Sequence, residues 1–150
     1  MKINILIDKV LNKDEIEIKV SPENINLGQD LKNYVRQNSN LTVINATNDK
    51  KLQVNINDIL EFHSDGHMCC VKMKSKKVYL INKRLKEIEK LEYAHFIKIN
   101  NQTIINLNEI KEFSSAPNAR LEVILSDGAS HFVNRHYVKI IKERLLWINN

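Results

Sequence analysis

Three consecutive side-chain amides, those of Asn100, Asn101 and Gln102, separate two short apolar segments in the second half of the 150-residue chain. A carboxamide carries a hydrogen-bond donor and an acceptor side by side. That pair can shape a turn, cap the start of a helix or bind the edge of a nucleic-acid base. The amides are therefore candidates for a binding function, and the elements around them decide among these roles.

The net charge of +5 is concentrated in one part of the chain. Residues 1–50 carry 7 Lys+Arg and 7 Asp+Glu, whereas residues 51–150 carry 16 and 11. A one-sided cationic excess favours a polyanionic partner, because each Lys or Arg that neutralises a phosphate releases a counterion. An ordinary solvated basic surface would have the same composition, so charge alone leaves both interpretations open.

The residue types that catalysis and metal binding require are poorly arranged. No glycine-rich phosphate loop, HExxH or GxSxG motif occurs, so we predict that the protein is not an enzyme. A zinc site built from His63, His67, Cys69 and Cys70 is disfavoured, because alternation along a strand would scatter these donors over both faces. The adjacent cysteines fit reduced thiols in a core. We predict no metal and no cofactor.

No apolar run approaches the roughly 20 residues that a membrane-spanning helix needs. An acidic residue, Asp8, interrupts the first apolar segment too early for a signal peptide. We therefore expect a cytoplasmic protein. The length allows a domain of roughly 100 residues with a small additional unit.

The first fifty residues have the pattern of a small α+β unit. Ile3, Ile5 and Ile7 recur at every second position, and so do Ile16, Ile18 and Val20, which predicts two half-buried strands at 3–7 and 16–20. The Ser-Pro pair at 21–22 is typical of a helix start, and apolar residues follow it at helical spacing. A further strand is predicted at 42–44. We predict that residues 1–50 form a β-β-α-β unit.

From residue 51 onward the pattern changes to short strands. Asp-Gly pairs at 65–66 and 127–128 stand between apolar runs and predict tight hairpins, since glycine readily adopts the positive φ of such turns. Leu85, Ile88 and Leu91 predict a short surface helix, and a second amphipathic helix is predicted near the end of the chain. Because no βαβ alternation is present, we predict an α+β, mainly β fold, with one domain at 51–150.

Four motifs between about residue 52 and residue 148 resemble, in order and spacing, those of the LytTR domain, the mostly β DNA-binding domain of bacterial transcription regulators. They are Asp58-Ile59-Leu60-Glu61-Phe62, Leu85-Lys86-Glu87-Ile88-Glu89, Phe96-Ile97-Lys98-Ile99 with Thr103-Ile104-Ile105-Asn106-Leu107-Asn108-Glu109-Ile110, and Leu125-Ser126-Asp127-Gly128 followed by Val133-Asn134-Arg135-His136-Tyr137-Val138. The resemblance implies an elongated fold of small β-sheets that presents loops, rather than a recognition helix, to successive major grooves.

The resemblance also implies which residues contact DNA. One contact segment is the amide run at Asn100, Asn101 and Gln102, and a third contact loop corresponds to His67. The second contact segment begins the last helix and comprises Asn134, Arg135, His136 and Tyr137. The helical spacing of Tyr137 fits the core equally well.

The chemistry of these side chains suits DNA without reference to the family. Asn and Gln can bind adenine in the major groove and Arg can bind guanine, each with two hydrogen bonds. Arg135 is our candidate for a base or phosphate contact. Lysines would bind phosphates and so position the domain. The lysine candidates are Lys98, Lys139 and a cluster at Lys72, Lys74, Lys76 and Lys77.

The sequence departs from the family at both main contact segments. The usual His-(Arg/Lys/Asn)-Ser is here the amide run 100–102, and the usual Ser-Arg-Arg-Tyr is Asn-Arg-His-Tyr at 134–137. We predict a sequence-specific DNA-binding transcription regulator. The alternative is a protein-interaction module that keeps the LytTR fold with weakened or lost DNA binding.

The expected partners follow from this interpretation. They are double-stranded DNA, a second copy of the chain in a homodimer and, from the family resemblance, an integral-membrane inhibitor. Residues 1–50 would serve dimerisation or capture by a partner, and no small-molecule substrate is expected.

Overall fold

The computed structural model describes residues 1–12, 15–37, 39–91, 93 and 95–148. The chain divides into two compact units, Met1–Val35 and Arg36–Asn150. The described residues contain three α-helices, α1 (Ile25–Gln37), α2 (Leu85–Lys90) and α3 (Arg135–Ile148). None of the described helices combines the length and the apolar character needed to cross a membrane.

Strands make up most of the second unit. The ten strands in the described residues are β1 (Asn40–Ile44), β2 (Lys51–Asn55), β3 (Ile59–Asp65), β4 (Met68–Met73), β5 (Val78–Ile81), β6 (Phe96–Asn100), β7 (Thr103–Asn106), β8 (Ile110–Ala116), β9 (Arg120–Leu125) and β10 (Ser130–Val133). They form a seven-stranded sheet in the order β2-β1-β5-β4-β3-β7-β6 and a three-stranded sheet in the order β10-β9-β8. All the strand pairs are antiparallel, so the predicted mainly β fold is confirmed.

Both Asp-Gly pairs form the predicted hairpins. Gly66 has a φ of 62° between β3 and β4, and Gly128 has a φ of 86° between β9 and β10. Such backbone conformations are open to glycine at little cost. At the second hairpin the Asp127 carboxylate also accepts a hydrogen bond from the Ala129 N–H at 2.9 Å, which fixes the turn.

Two hydrophobic clusters hold the second unit together. Residues of β3 belong to different clusters, Ile59 and Phe62 to the first and Leu60 to the second. Regular alternation would place Leu60 with Phe62, but the register shift between Ile59 and Glu61 changes the face that the following residues present. The first cluster includes Leu85 and Ile88 of α2, whereas the second joins the large sheet to the small sheet and to Ile141 and Leu145 of α3. The large sheet therefore buries both of its faces.

The two strands predicted at the N-terminus are wrong. Segments 3–7 and 16–20 lie in residues that form neither strand nor helix, and their apolar side chains are exposed. Alternating residues make a stable strand only when a sheet or a packed face receives them, and a lone two-stranded hairpin is marginal in water. The helix start at the Ser-Pro pair is confirmed, because a 3₁₀ turn at Pro22–Asn24 leads directly into α1.

The strand predicted at 42–44 exists as β1, but it does not belong to an N-terminal unit. Residues 40–44 pair with residues 51–55 of β2, and Ile44 pairs with Leu80 of β5. Val43 is fully buried in the first cluster. The compact unit that contains β1 consequently begins near residue 36.

Candidate nucleic-acid interface

Several turns of the second unit gather at one end of its two sheets. The Ser64 N–H donates to the Gln102 carbonyl at 2.8 Å, which joins the β3–β4 hairpin to the β6–β7 turn. The Asn134 N–H donates to the Ile99 carbonyl at 2.8 Å, which brings the start of α3 beside the same turn. We call the surface formed by residues 65–67, 100–102, 117–120 and 134–136 the loop edge.

The three amides of the β6–β7 turn have different environments. The Asn100 Oδ1 accepts a hydrogen bond from the Gln102 N–H at 2.8 Å, so this side chain shapes the turn. Asn101 and Gln102 are exposed. Among the described residues, no side-chain hydrogen bond engages either of these two amides. Their donor and acceptor pairs are therefore directed to solvent, as base recognition requires.

A concave surface of about 390 Å³ lies between three of the segments at the loop edge. These are the β6–β7 turn, the β8–β9 turn with the start of β9, and the passage from β10 into α3, and together they contribute two arginines, three asparagines and one aromatic ring. The lining residues are Asn100, Asn118, Arg120, Phe132, Asn134 and Arg135. No acidic side chain is among these described lining residues, so the concave surface favours an anionic ligand.

Arg120 is held in place at this surface. Its Nε–H donates to the Pro117 carbonyl at 3.0 Å, and its guanidinium lies 4.5 Å from the centre of the Phe132 ring. A guanidinium carries five N–H donors, so the four Nη donors remain available to a ligand. The turn that precedes it has two residues at positive φ, Asn118 at 63° and Ala119 at 58°. Strain of this kind at a non-glycine residue is common at functional sites.

The second predicted contact segment lies at the start of α3. Asn134 caps the helix, because its Oδ1 lies 3.4 Å from the His136 N–H and its carbonyl accepts from the Tyr137 N–H at 2.9 Å. Arg135, His136 and Lys139 are exposed. Tyr137 is half-buried and packs against the second hydrophobic cluster, as its helical spacing also allowed.

His67 occupies the tip of the β3–β4 hairpin and is fixed by Arg84 at the start of α2. The Arg84 Nη2 lies 2.7 Å from the His67 Nδ1. Since a guanidinium only donates hydrogen bonds, the His67 Nδ1 accepts, which leaves the proton of the neutral ring on Nε2. The exposed imidazole therefore offers a donor to a partner molecule, and a guanine N7 or a phosphate oxygen would accept it.

Lys72 and Lys74 do not lie with the other predicted contact residues. β4 runs away from the loop edge, and at roughly 3.3 Å per residue Lys74 is about 20 Å from the start of the strand. The Lys72 Nζ lies 2.6 Å from the Asp127 Oδ2, and the Lys74 Nζ lies 2.7 Å from the Glu109 Oε1. We call this region, with residues 72–77, 109 and 126–128, the opposite edge. Its lysines join the large sheet to the small one.

Protonation at the opposite edge follows from these contacts. The hydrogen bond to Asp127 raises the pKa of Lys72, even though burial acts in the other direction. Burial would raise the pKa of Asp127, but hydrogen bonds from Lys72 and from the Ala129 N–H lower it overall. Both groups are therefore charged at neutral pH. A further bridge between the sheets joins the His131 Nε2 to the Glu61 Oε2 at 2.6 Å.

Lys98 lies in β6, two residues before the amide turn. Its Nζ is 3.6 Å from the Glu89 Oε2 of α2, and only 22% of its side chain is exposed. The ammonium group of this lysine is consequently directed toward α2.

Metal-ligating side chains do not cluster in the part of the chain that the structure describes, where no group of three or more His, Cys, Asp or Glu could hold an ion. Cys69 is buried and Cys70 is half-buried, and both are free thiols. Burial raises the pKa of Cys69 to about 11, and burial together with the Asp65 carboxylate raises the pKa of Cys70. The two thiols are therefore protonated and unreactive at neutral pH.

Four residues in or beside the loop edge were missed by sequence reasoning, namely Arg84, Asn118, Arg120 and Phe132. Arg120 had one usable signal, because it directly follows a Pro-Asn turn between two strands. Arg84 had a weaker one as the residue before α2. Phe132 had no usable signal in the sequence. Alternation in β10 predicts which side chains point away from the core, but not which other residues lie beside them.

Relatives of known name match the chain over nearly all of its length. Across 146 residues it is 28% identical to an HTH-type transcriptional regulator of Staphylococcus aureus strain NCTC 8325, covering 97% of this chain and 98% of that protein. The HTH-type transcriptional regulator of strain MW2 is 27% identical over the same shares.

The fold also matches a solved structure, a LytTr DNA-binding domain from Bacillus cereus. The TM-score is 0.63 at 19% identity, covering 72% of this chain and 96% of that domain. The LytTr DNA-binding domain family itself matches residues 49–146, which include every turn of the loop edge. Because that match extends over most of the sequence, the chain belongs to the LytTR DNA-binding domain family.

Proposed function

We propose that this protein is a transcription regulator that binds double-stranded DNA sequence-specifically, reading the major groove through the turns of the loop edge. The observation that carries the proposal is the concave surface, where two arginines and three asparagines from separate segments converge in a lining that contains no acidic side chain. Arg and Asn are the side chains that bind guanine and adenine with two hydrogen bonds.

The arrangement of helices favours recognition by turns over recognition by a helix-turn-helix. A helix-turn-helix needs two helices joined by a short turn. In the described residues α1, α2 and α3 are each separated by several strands. The relatives' name as HTH-type regulators therefore supports a role in transcription, while the geometry supports a different way of reading DNA.

The distribution of charge supports the same surface. Residues 36–150 carry 18 Lys+Arg and 12 Asp+Glu, whereas residues 1–35 carry 5 and 6. Arg120, Arg135 and Lys139 present free cationic groups near the loop edge, whereas Lys72 and Lys74 are paired at the opposite edge. We assign the first group to DNA and the second to stability.

The test is the affinity of the full-length chain for DNA fragments selected from a random pool, measured by fluorescence anisotropy over a salt series. The logarithm of the association constant should fall with the logarithm of salt by about 0.9 for each phosphate neutralised. A flat dependence, or selection of no common sequence, would contradict the proposal. Strong binding to a protein with none to DNA at low salt would favour an interaction module instead.

Matched variants locate the surface. Arg120→Ala should weaken binding to the selected sequence by about 10-fold to 100-fold, because a well-formed arginine contact is worth roughly 1–3 kcal/mol. Lys77→Ala removes the same charge from the turn at the opposite edge and should change affinity by less than about 2-fold. Equal losses for both variants would show that only overall charge matters.

Two finer expectations rest on the family resemblance. Asn101 and Gln102 are the proposed base contacts of the β6–β7 turn, since both are exposed. Capture by an integral-membrane inhibitor stays a prediction, and a pull-down of the chain with detergent-solubilised membranes of its host would test it.

A further inference from the structure

Residues 1–35 combine a high content of large apolar side chains with an absence of burial. None of the described residues of this unit is buried. Fourteen large apolar side chains are exposed there: Met1, Ile3, Ile5, Leu6, Ile7, Val10, Ile16, Ile18, Val20, Ile25, Leu27, Leu31, Tyr34 and Val35. Soluble monomers rarely expose contiguous apolar patches larger than a few hundred Å², so such a surface indicates a partner.

The exposure is far greater than elsewhere in the chain. Ile5 is 91% and Ile7 92% exposed. In residues 36–150 only four large apolar residues are exposed among those described, and Val78, the most exposed of them, reaches 56%. The second unit has already covered its apolar residues in two clusters. The large apolar side chains that remain exposed therefore lie mainly in the first unit.

Part of this unit is already shaped to receive a partner. Val20 packs closely on α1, since a Cβ added at Gly28 would lie 3.2 Å from a Val20 methyl group. Leu27, Leu31 and Tyr34 then extend along the same helix and are 38%, 43% and 66% exposed. Val20 and the apolar residues of α1 therefore form one exposed apolar surface.

We propose that residues 1–35 form a homodimer interface in which the apolar surfaces of two copies of this chain cover each other. The charge of the unit favours a second copy over a polyanion. It carries 5 Lys+Arg and 6 Asp+Glu, so it has no cationic excess for DNA or for anionic lipid headgroups. A near-neutral surface can meet its own copy without electrostatic cost.

The alternating segments also favour a protein over a lipid surface. Residues 3–7 and 16–20 have the period-2 pattern of strands, and a strand needs backbone hydrogen bonds from another strand. A hydrocarbon layer cannot supply these bonds. A second copy supplies the same two segments, and pairing between copies would create the strands that the isolated chain lacks.

The available area is sufficient for a stable dimer. Burying an aliphatic side chain removes roughly 60–120 Å² of apolar surface, at 1.5–3 kcal/mol and 25 cal/mol/Å². Seven of the fourteen side chains are 74–92% exposed and the other seven are 38–66% exposed, so together they offer on the order of 600–1,100 Å² per copy. Standard stable interfaces bury about 800 Å² per partner. The similarity to the Staphylococcus aureus regulators also extends over 97% of the chain and so includes this unit.

The mass of the full-length chain in solution tests the proposal, measured by size-exclusion chromatography with light scattering over a range of concentrations and without DNA. We expect twice the mass of the 17.5 kDa chain. Ile5→Asp with Ile7→Asp should weaken association by about 30-fold or more, the loss typical of an interface hot spot. Asn4→Asp places one charge on an intervening residue and should leave the mass unchanged or nearly so.

Each alternative result has a defined meaning. A chain that is monomeric at every concentration, or a dimer that the Ile5→Asp, Ile7→Asp variant does not weaken, overturns the proposal. Binding of a monomer to phosphatidylserine vesicles would identify a membrane surface instead and would also overturn it. If the charged variant loses its unfolding transition, Ile5→Ala with Ile7→Ala must show the same direction of change. Failure of DNA binding would leave these masses unaffected, so the two proposals fail separately.

Discussion

The two ends of the β-sheets carry similar residue types and use them differently. At the loop edge Arg120 and Arg135 line a concave surface that contains no described carboxylate. At the opposite edge Lys72 and Lys74 lie within 2.6 Å and 2.7 Å of Asp127 and Glu109. The difference teaches that the role of a cation depends on which anions the fold brings to it. Counting positive charges along the sequence cannot separate a binding surface from an internal bridge.

The largest expected effect is the loss of DNA affinity at the loop edge. Arg135→Ala should weaken binding to the selected sequence by up to about 100-fold, because the side chain is exposed on the lining and free to bind a base or a phosphate. Lys74→Ala, at the opposite edge, should leave affinity nearly unchanged while lowering stability slightly. Anisotropy titrations of both variants on the same DNA check the contrast, and a greater loss for Lys74→Ala would reverse our assignment of the two edges.

The next effect is on stability, at the bridge between Glu61 and His131. His131→Ala should lower the free energy of unfolding by about 2–3 kcal/mol, because it leaves the largely buried Glu61 carboxylate, 12% exposed, without its partner. His136→Ala removes an exposed histidine at the loop edge and should change stability by less than about 0.5 kcal/mol. Urea unfolding monitored by circular dichroism measures both. Similar losses for the two histidines would mean that the bridge contributes little.

The sequence predicted the local elements well and the contacts between distant ones poorly. The Asp-Gly hairpins, α2 and α3 were correct, because turn chemistry and helical spacing are properties of a few neighbouring residues. The N-terminal strands failed, because a strand needs a partner that no local pattern supplies. The assignment of Lys72 to phosphate is a related case. Nothing in the sequence shows that Asp127, on a different hairpin, lies 2.6 Å from it.

The side-chain amides show which functions can be predicted from residue type and which cannot. Of the three roles open to a carboxamide, Asn100 takes the turn and Asn134 the helix cap. Asn101 and Gln102 remain exposed. Residue type pointed to these two segments, whereas the division of roles within them depends on where each backbone N–H points. That information exists only once the chain has folded.

A smaller effect concerns the pH dependence of the opposite edge. The pKa of Asp127 is lowered in the folded chain, so its contribution to stability is present above the ordinary aspartate pKa and is lost as the pH falls through the folded value. The pKa of Lys72 is raised in the folded chain, so its contribution to the free energy of unfolding is present at neutral pH. That contribution is lost as the pH rises through the pKa of Lys72 in the folded chain.

Asp127→Asn should therefore reduce the free energy of unfolding by about 1 kcal/mol at pH 7, and by progressively less as the pH falls below about 4. Unfolding experiments from pH 2.5 to pH 7 measure this difference. Asp49→Asn, in an exposed turn, serves as the control and should change the free energy of unfolding at pH 7 by less than Asp127→Asn does. A difference for Asp127→Asn that grows toward acid pH would contradict the direction of its pKa shift.

The smallest effect tests the strain in the turn that carries Arg120. Ala119 has a φ of 58°, which costs an alanine roughly 1–2 kcal/mol, whereas glycine adopts it freely. Glycine also gains freedom in the unfolded chain, so Ala119→Gly should stabilise the protein by only about 0.5 kcal/mol. Ala116→Gly, in the last residue of β8, makes the same chemical change within a strand and should be destabilising. If both variants lower the urea midpoint equally, the turn is not strained. If Ala119→Gly stabilises the chain while weakening DNA binding, the strained turn contributes to holding Arg120 in its binding position.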